Sequence, residues 1–231
     1  MIKRLALLIC FILWLPTIAA ASDGSTNYGD FWVGGQVMGV FTADRNVNIT
    51  GPRGFEFTSR NSISTDAGVG AGAIIGYNFC MPYRPSWQRY FGVALDFQWN
   101  QFNQSIGNFS GSLNGNQFAL GFLGRLQYPL MGDESFTRGR WVPFLMAGPA
   151  VVWTTSDRSN FNGGSKTSTD AGVIAEVGLE YYIIPQLSIG PSFRYRHVFG
   201  PNNDFQGAGF SVKSDSNLDQ FMVLARLAYH F

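Results

Sequence analysis

Charge is scarce in this 231-residue chain: Asp, Glu, Lys and Arg together make up 13% of it, about half of the roughly 25% usual for soluble domains. The formal net charge is +1, so no basic face offers itself to nucleic acid, and that class of partner is excluded. Cysteine is nearly absent, with Cys10 and Cys80 the two present. Cys10 falls in an N-terminal apolar segment, which leaves Cys80 as a lone thiol and rules out a disulfide scaffold. Histidine is equally rare, at His197 and His230. Beyond the N-terminus no apolar run approaches the roughly 20 residues that a membrane-spanning helix needs, so a helical bundle in the membrane is excluded.

The N-terminal segment has its own logic. Lys3 and Arg4 precede an apolar run from Leu5 to about Ala20, interrupted by Pro16, and the small residues Ala19, Ala20, Ala21 and Ser22 close it. A short basic start, an apolar stretch and a small-residue cleavage site describe a secretory signal peptide over residues 1–21. The expected mature domain is residues 22–231, a single unit in length. Losing Lys3 and Arg4 takes its formal charge from +1 to −1.

Glycine and aromatic residues are abundant instead, with 28 Gly, 21 Phe, 9 Tyr and 6 Trp. A chain poor in charge, rich in aromatics and without a spanning helix can still cross a membrane as a closed sheet whose outward residues alone are apolar. Side chains alternate faces along a strand, and the sequence shows that rhythm repeatedly. Residues 221–231 place Phe221, Val223, Ala225, Leu227, Tyr229 and Phe231 on one face, with Arg226 and His230 on the other. Residues 67–79, 89–100, 117–128, 170–184 and 187–195 repeat the pattern. Residues 31–41 are apolar on both faces apart from Gln36, and Phe31, Val33, Val37 and Phe41 make an outer face. Residues 141–153 contain Pro143 and Pro149, and their pattern does not reveal which parity faces outward. Eight strands result.

The intervening segments are of two kinds. Residues 184–186 make a tight turn, and 80–88 and 129–140 moderate ones. Residues 42–65, 101–116, 155–169 and 200–217 are longer, polar and rich in Gly, Asn and Ser. The two kinds alternate, as periplasmic turns and extracellular loops do in outer-membrane barrels. An even strand count puts both termini on the periplasmic side. The expected fold is an all-β, transmembrane, antiparallel up-and-down barrel of eight strands.

These patterns bring the chain close to a known family. Residues 70–79 (GAGAIIGYNF), 91–99 (FGVALDFQW), 143–148 (PFLMAG), 177–181 (VGLEY) and 187–195 (LSIGPSFRY), with the terminal Tyr229 and Phe231, resemble the small outer-membrane β-barrel proteins. These are related to the OmpA transmembrane domain and the opacity-type surface proteins of the "porin family". The resemblance covers the whole expected mature chain and marks a fold class rather than one activity. It implies a bacterial outer-membrane location, surroundings of outer-membrane lipid and lipopolysaccharide, and a terminal aromatic signal, Phe231 with Tyr229, read by the barrel-assembly machinery. No peptidoglycan-binding domain is expected after the barrel.

Candidate chemistry is confined to the inner face. Asp96, Arg125, Glu176, Glu180, Arg194, Arg196 and Arg226 are the strand charges. Unpaired buried charge is very costly, so these groups are expected to pair with one another as a polar plug. An eight-stranded barrel is about wide enough for its own side chains. No catalytic residue, cofactor or metal site is expected: His230 sits beside the terminal signal, and His197 points outward near the extracellular rim. Asp215 and Asp219 read as solvated loop acids. Glycines on the inner face read as relief of crowding, and the aromatic-bearing long loops, with Phe55, Phe57, Phe109, Phe161, Phe205 and Phe210, as the surface for an extracellular ligand. The leading expectation is a non-enzymatic barrel displaying four loops. A narrow pore for small solutes and a lipid A-modifying enzyme are the alternatives.

Overall fold

The computed structural model describes residues 30–43, 45–50, 56–65, 67–79, 90–106, 112–132, 136, 139–157, 165–200, 205–207, 210–213 and 217–231. Residues 1–21, expected as a signal peptide, lie outside them, as do Cys80, Asp215 and three aromatics expected in loops, Phe55, Phe109 and Phe161. Among the described residues there are twelve strands and no α-helix: β1 (Asp30–Thr42), β2 (Arg45–Thr50), β3 (Glu56–Thr65), β4 (Gly68–Asn78), β5 (Phe91–Ile106), β6 (Ser112–Gln127), β7 (Trp141–Asp157), β8 (Lys166–Ile184), β9 (Leu187–Val198), β10 (Phe205–Gly207), β11 (Phe210–Lys213) and β12 (Leu218–His230).

Eight of these are staves of a closed barrel. In the order β1, β4, β5, β6, β7, β8, β9 and β12, each pairs antiparallel with the next, and β12 returns to β1. Closure leaves no open edge among the staves, so the spanning backbone pairs within the sheet, as the lipid interior demands, except where prolines interrupt a ladder. Exposure alternates residue by residue. Val37, Phe97, Phe122, Leu145, Val177, Phe193, Val223 and Leu227 face outward, while Gln36, Asp96, Arg125, Met146, Glu176, Arg194 and Arg226 are buried inside. At the turn end, Tyr90 stacks on Tyr128 with centroids 5.6 Å apart and Trp141 packs on Tyr181 at 4.6 Å. Such aromatic girdles mark a membrane interface.

The structure settles the parity of the strand that the sequence pattern leaves open. In β7, Val142, Phe144, Met146, Ala150 and Val152 are buried inside, while Trp141, Leu145 and Val151 face lipid. Pro149 also points outward, and the β6–β7 ladder breaks there, resuming in the same register on either side. A proline has no N–H to give the ladder. The residue before it, Gly148, lies so close to β6 that a Cβ would fall 1.8 Å from the Phe122 carbonyl oxygen. The same device recurs in β9: the β8–β9 ladder breaks at Pro191, and a Cβ on Gly190 would lie 1.9 Å from the Leu179 carbonyl oxygen.

The long loops differ from the sequence expectation. β2 and β3 pair with each other and prolong the β1–β4 hairpin, and β11 pairs with β2 and β10. β3 also pairs with the upper end of β5. β5, β6, β7 and β8 run for 16, 16, 17 and 19 residues, beyond the roughly 9–11 that cross a bilayer. Segments expected as loops therefore contain strand. The many polar Asn, Ser and Thr residues there blur the apolar–polar alternation that reveals strands elsewhere, while backbone pairing continues.

Candidate functional site

The lumen is built from inward positions of all eight staves, and large inward rings sit over glycines of the neighbouring strand. Trp32 is registered opposite Gly76, Phe102 opposite Gly115, and Phe144 opposite Gly178. A Cβ on Gly76 would lie 2.3 Å from the Trp32 indole, and one on Gly178 would lie 2.4 Å from the Phe144 ring. The inward glycines thus make room for rings that fill the barrel.

Six of the seven expected charges form one alternating chain. Arg125 Nη1 and Nη2 donate to the two oxygens of Glu180 at 3.1 and 2.7 Å, the bidentate geometry that strengthens such pairs. Arg226 Nη1 lies 3.8 Å from Glu180, and its Nη2 donates to Glu176 at 2.7 Å. The other Glu176 oxygen accepts from Arg194 Nε at 2.9 Å and also from Nη2. Arg194 Nη1 then reaches Asp96 at 2.9 Å. Gln36 bridges the Asp96 end back to Arg226, donating to Asp96 at 2.6 Å and accepting from Arg226 at 3.1 Å. Gln98 donates to the second Asp96 oxygen. The guanidinium of Arg125 lies 5.1 Å from the Trp32 ring centre and 4.9 Å from that of Phe144, within cation–π range.

Arg196 departs from the expected pairing. It is fully buried, and its described hydrogen bonds go to amide oxygens rather than to a carboxylate. Nε donates to Gln220 at 2.9 Å, Nη1 to Gln98 at 3.2 Å, and Nη2 to Asn100 and Gln117 at 3.0 and 2.7 Å. The acids lie lower in the barrel, because Arg196 is registered opposite Ile174 on β8 and Gln220 on β12. Carbonyl dipoles replace a counter-ion there.

At the mouth that carries the tight turn and the C-terminus, the structure assembles a group that the sequence reading passed over. His230 is fully buried, its Nε2 3.0 Å from Ser188 Oγ and its Nδ1 3.2 Å from the Tyr182 hydroxyl. The ring also stacks on Trp32 at 6.1 Å. A cavity of about 170 Å³ beside it is lined by Tyr182, His230, Phe136, Phe231 and the turn residues Pro185 and Gln186. Ser188 does not line that cavity and is itself buried. Inward parity places Ser188 and His230 separately. Only the β9–β12 register brings them together. Phe231 is anchored by its N–H to the Phe31 carbonyl at 2.8 Å, and its ring packs on Phe31 and on the outward Tyr229.

His197 faces outward at the loop end. Its Nδ1 lies 2.6 Å from Asp219 Oδ1, and the Tyr195 hydroxyl donates to the same oxygen at 2.6 Å. Asp219 is thus held by two side chains rather than freely solvated. Among the described residues there is no cluster of three or more metal-ligating side chains.

A closed barrel with an apolar outside and a charged, filled inside has few homes, and the sequence matches one family over residues 7–231, the outer membrane protein beta-barrel domain. The chain belongs to that family. It is accordingly a protein of the bacterial outer membrane. Among solved structures this outer-membrane barrel is similar to OprG from Pseudomonas aeruginosa, with 16% identity, TM-score 0.61, and coverage of 89% of this chain and 97% of that one. It is also similar to Neisserial surface protein A, with 15% identity, TM-score 0.54, and coverage of 87% and 97%. At these identities the likeness is one of fold. No curated protein matches the sequence.

Proposed function

We propose that this outer-membrane barrel is a non-enzymatic surface protein whose body is a sealed structural scaffold and whose extracellular loops carry its interactions. One observation carries the reading: all seven lumen charges are buried, and six of them are joined in a single alternating chain. A continuous water path would have to break that chain. The pairing of β2 with β11 supports the rest of the reading, because it joins two long loops into one raised sheet, a rigid base of the kind on which binding loops are displayed.

Planar-bilayer recording of the refolded protein tests this. The expected result is no steady conductance from the wild type. A steady conductance that changes with substitution of Glu176 or Arg226 would establish instead a narrow pore for small solutes. The contact between Ser188 and His230 supplies a nucleophile beside a base, so a lipid A-modifying activity is the third reading. Mass spectrometry of lipid A from cells with and without the protein distinguishes it, and identical profiles are expected.

A further inference from the structure

The strand register sets side-chain size row by row on the lipid-facing surface. Across β5, β6 and β7 one outward row reads Val93, Gly124 and Ala147. The row on its periplasmic side reads Phe91, Leu126 and Leu145, and the row on its extracellular side contains Leu95 and Phe122. Beside Val93 and Gly124 a trough opens, bounded by Leu95 and Phe122 on the extracellular side, and Phe31 and Tyr77 wall its β1–β4 end. The cavity there measures about 470 Å³, with Gly76, Ala94 and Gly124 among its lining. Gly124 adds nothing to fill it: a Cβ there would meet no atom nearer than the Ala147 carbonyl oxygen at 3.7 Å.

This trough is continuous with the apolar face that the barrel presents to the membrane, and no charged side chain lines it. Its surroundings are hydrocarbon, and a concavity left empty forfeits dispersion contacts on every wall. A flexible acyl chain can enter it, whereas a polar solute cannot. The trough also belongs to one leaflet. Phe31 is one residue from the start of β1 and Tyr77 one from the end of β4, both at the end that carries the tight turn and the termini. We propose that the trough is a lipid site that seats one acyl chain of a phospholipid from the periplasmic leaflet. The site depends on the membrane placement of the barrel and is independent of whether the lumen conducts.

Native mass spectrometry tests the site on full-length barrel extracted in a mild non-ionic detergent, with retained phospholipid counted per protein. Gly124→Leu fills the trough from an open position, and Ala225→Leu makes a similar outward change on β12. Retained heat-modifiable migration on gels shows that both variants fold. Wild type and Ala225→Leu are expected to keep about one phospholipid each. Gly124→Leu is expected to lose it roughly tenfold, since displacing as few as two methylenes at about 0.8 kcal/mol each suffices. In a second arm, barrel refolded from urea is offered phosphatidylethanolamine or lipopolysaccharide, and retention of the first is expected. Equal phospholipid retention by Gly124→Leu and wild type overturns the proposal, as does wild type that keeps none or keeps only lipopolysaccharide.

Discussion

Substituting Glu176 by Gln removes a carboxylate that binds two guanidinium groups closely, Arg194 and Arg226, and leaves its shape nearly unchanged. In the wild type one oxygen binds Arg194 and the other binds Arg226 at 2.7 Å. In the variant Arg194 keeps Asp96 at 2.9 Å, whereas Arg226 keeps only neutral Gln36 at 3.1 Å and the more distant Glu180 at 3.8 Å. A buried cation then lacks close compensation, which places the loss in the range of about 3–5 kcal/mol found when one partner of a buried pair is removed. Urea unfolding of barrel refolded into lipid vesicles, followed by tryptophan fluorescence, reads this directly. With a slope of roughly 1–3 kcal/mol per molar urea, the midpoint should fall by about 1–5 M. Removing both charges, as Glu176→Gln with Arg226→Met, should recover part of the loss because the orphaned cation is gone. A loss for Glu176→Gln below about 1 kcal/mol, the scale of a solvent-exposed pair, would refute the reasoning, since the lumen would then be screened by water.

Three further outcomes follow from the same geometry. Arg196→Met should destabilise less than Glu176→Gln, by about 1–3 kcal/mol, because it strips a donor from amide oxygens without stranding a charge; the same urea titration measures it. Gly76→Val should cost about 1–3 kcal/mol or more through overpacking against the Trp32 indole, with an altered tryptophan emission in whatever fraction folds. Phe231→Ser, if the terminal aromatic is the assembly signal, should reduce the folded, heat-modifiable form recovered from cells while leaving refolding from urea into detergent nearly intact; equal loss in both assays would assign Phe231 a structural role instead.

Much of the barrel was legible because the strand repeat is local. Inward placement of Asp96, Glu176, Arg194 and Arg226, and outward placement of Phe97, Val177 and Leu227, follow from counting by twos along each segment. The method failed where its signal vanishes. In β7 both faces are apolar and the strand contains Pro143 and Pro149, so its pattern did not reveal which parity faces lipid. In β2, β3 and the upper half of β5, the many Asn, Ser and Thr residues read as loop, although their backbone pairs as strand. The amides around Arg196 had the correct inward parity, but nothing in their spacing told which charge they would surround.

The sequence by itself determined that the chain alternates apolar and polar residues in membrane-length strands, and hence which side of the wall most side chains occupy. That information is carried by neighbours in the chain. The tertiary structure alone decided who meets whom around and across the barrel. Strand register and closure bring Ser188 to His230, link Arg125 to Asp96 through four intervening charges, leave Arg196 among amides, and align Val93 with Gly124 in a trough. Shifting one stave by two residues would preserve every parity and every apolar face, yet would change each of those contacts. Parity repeats every two residues, whereas a contact depends on the one register that closes the sheet.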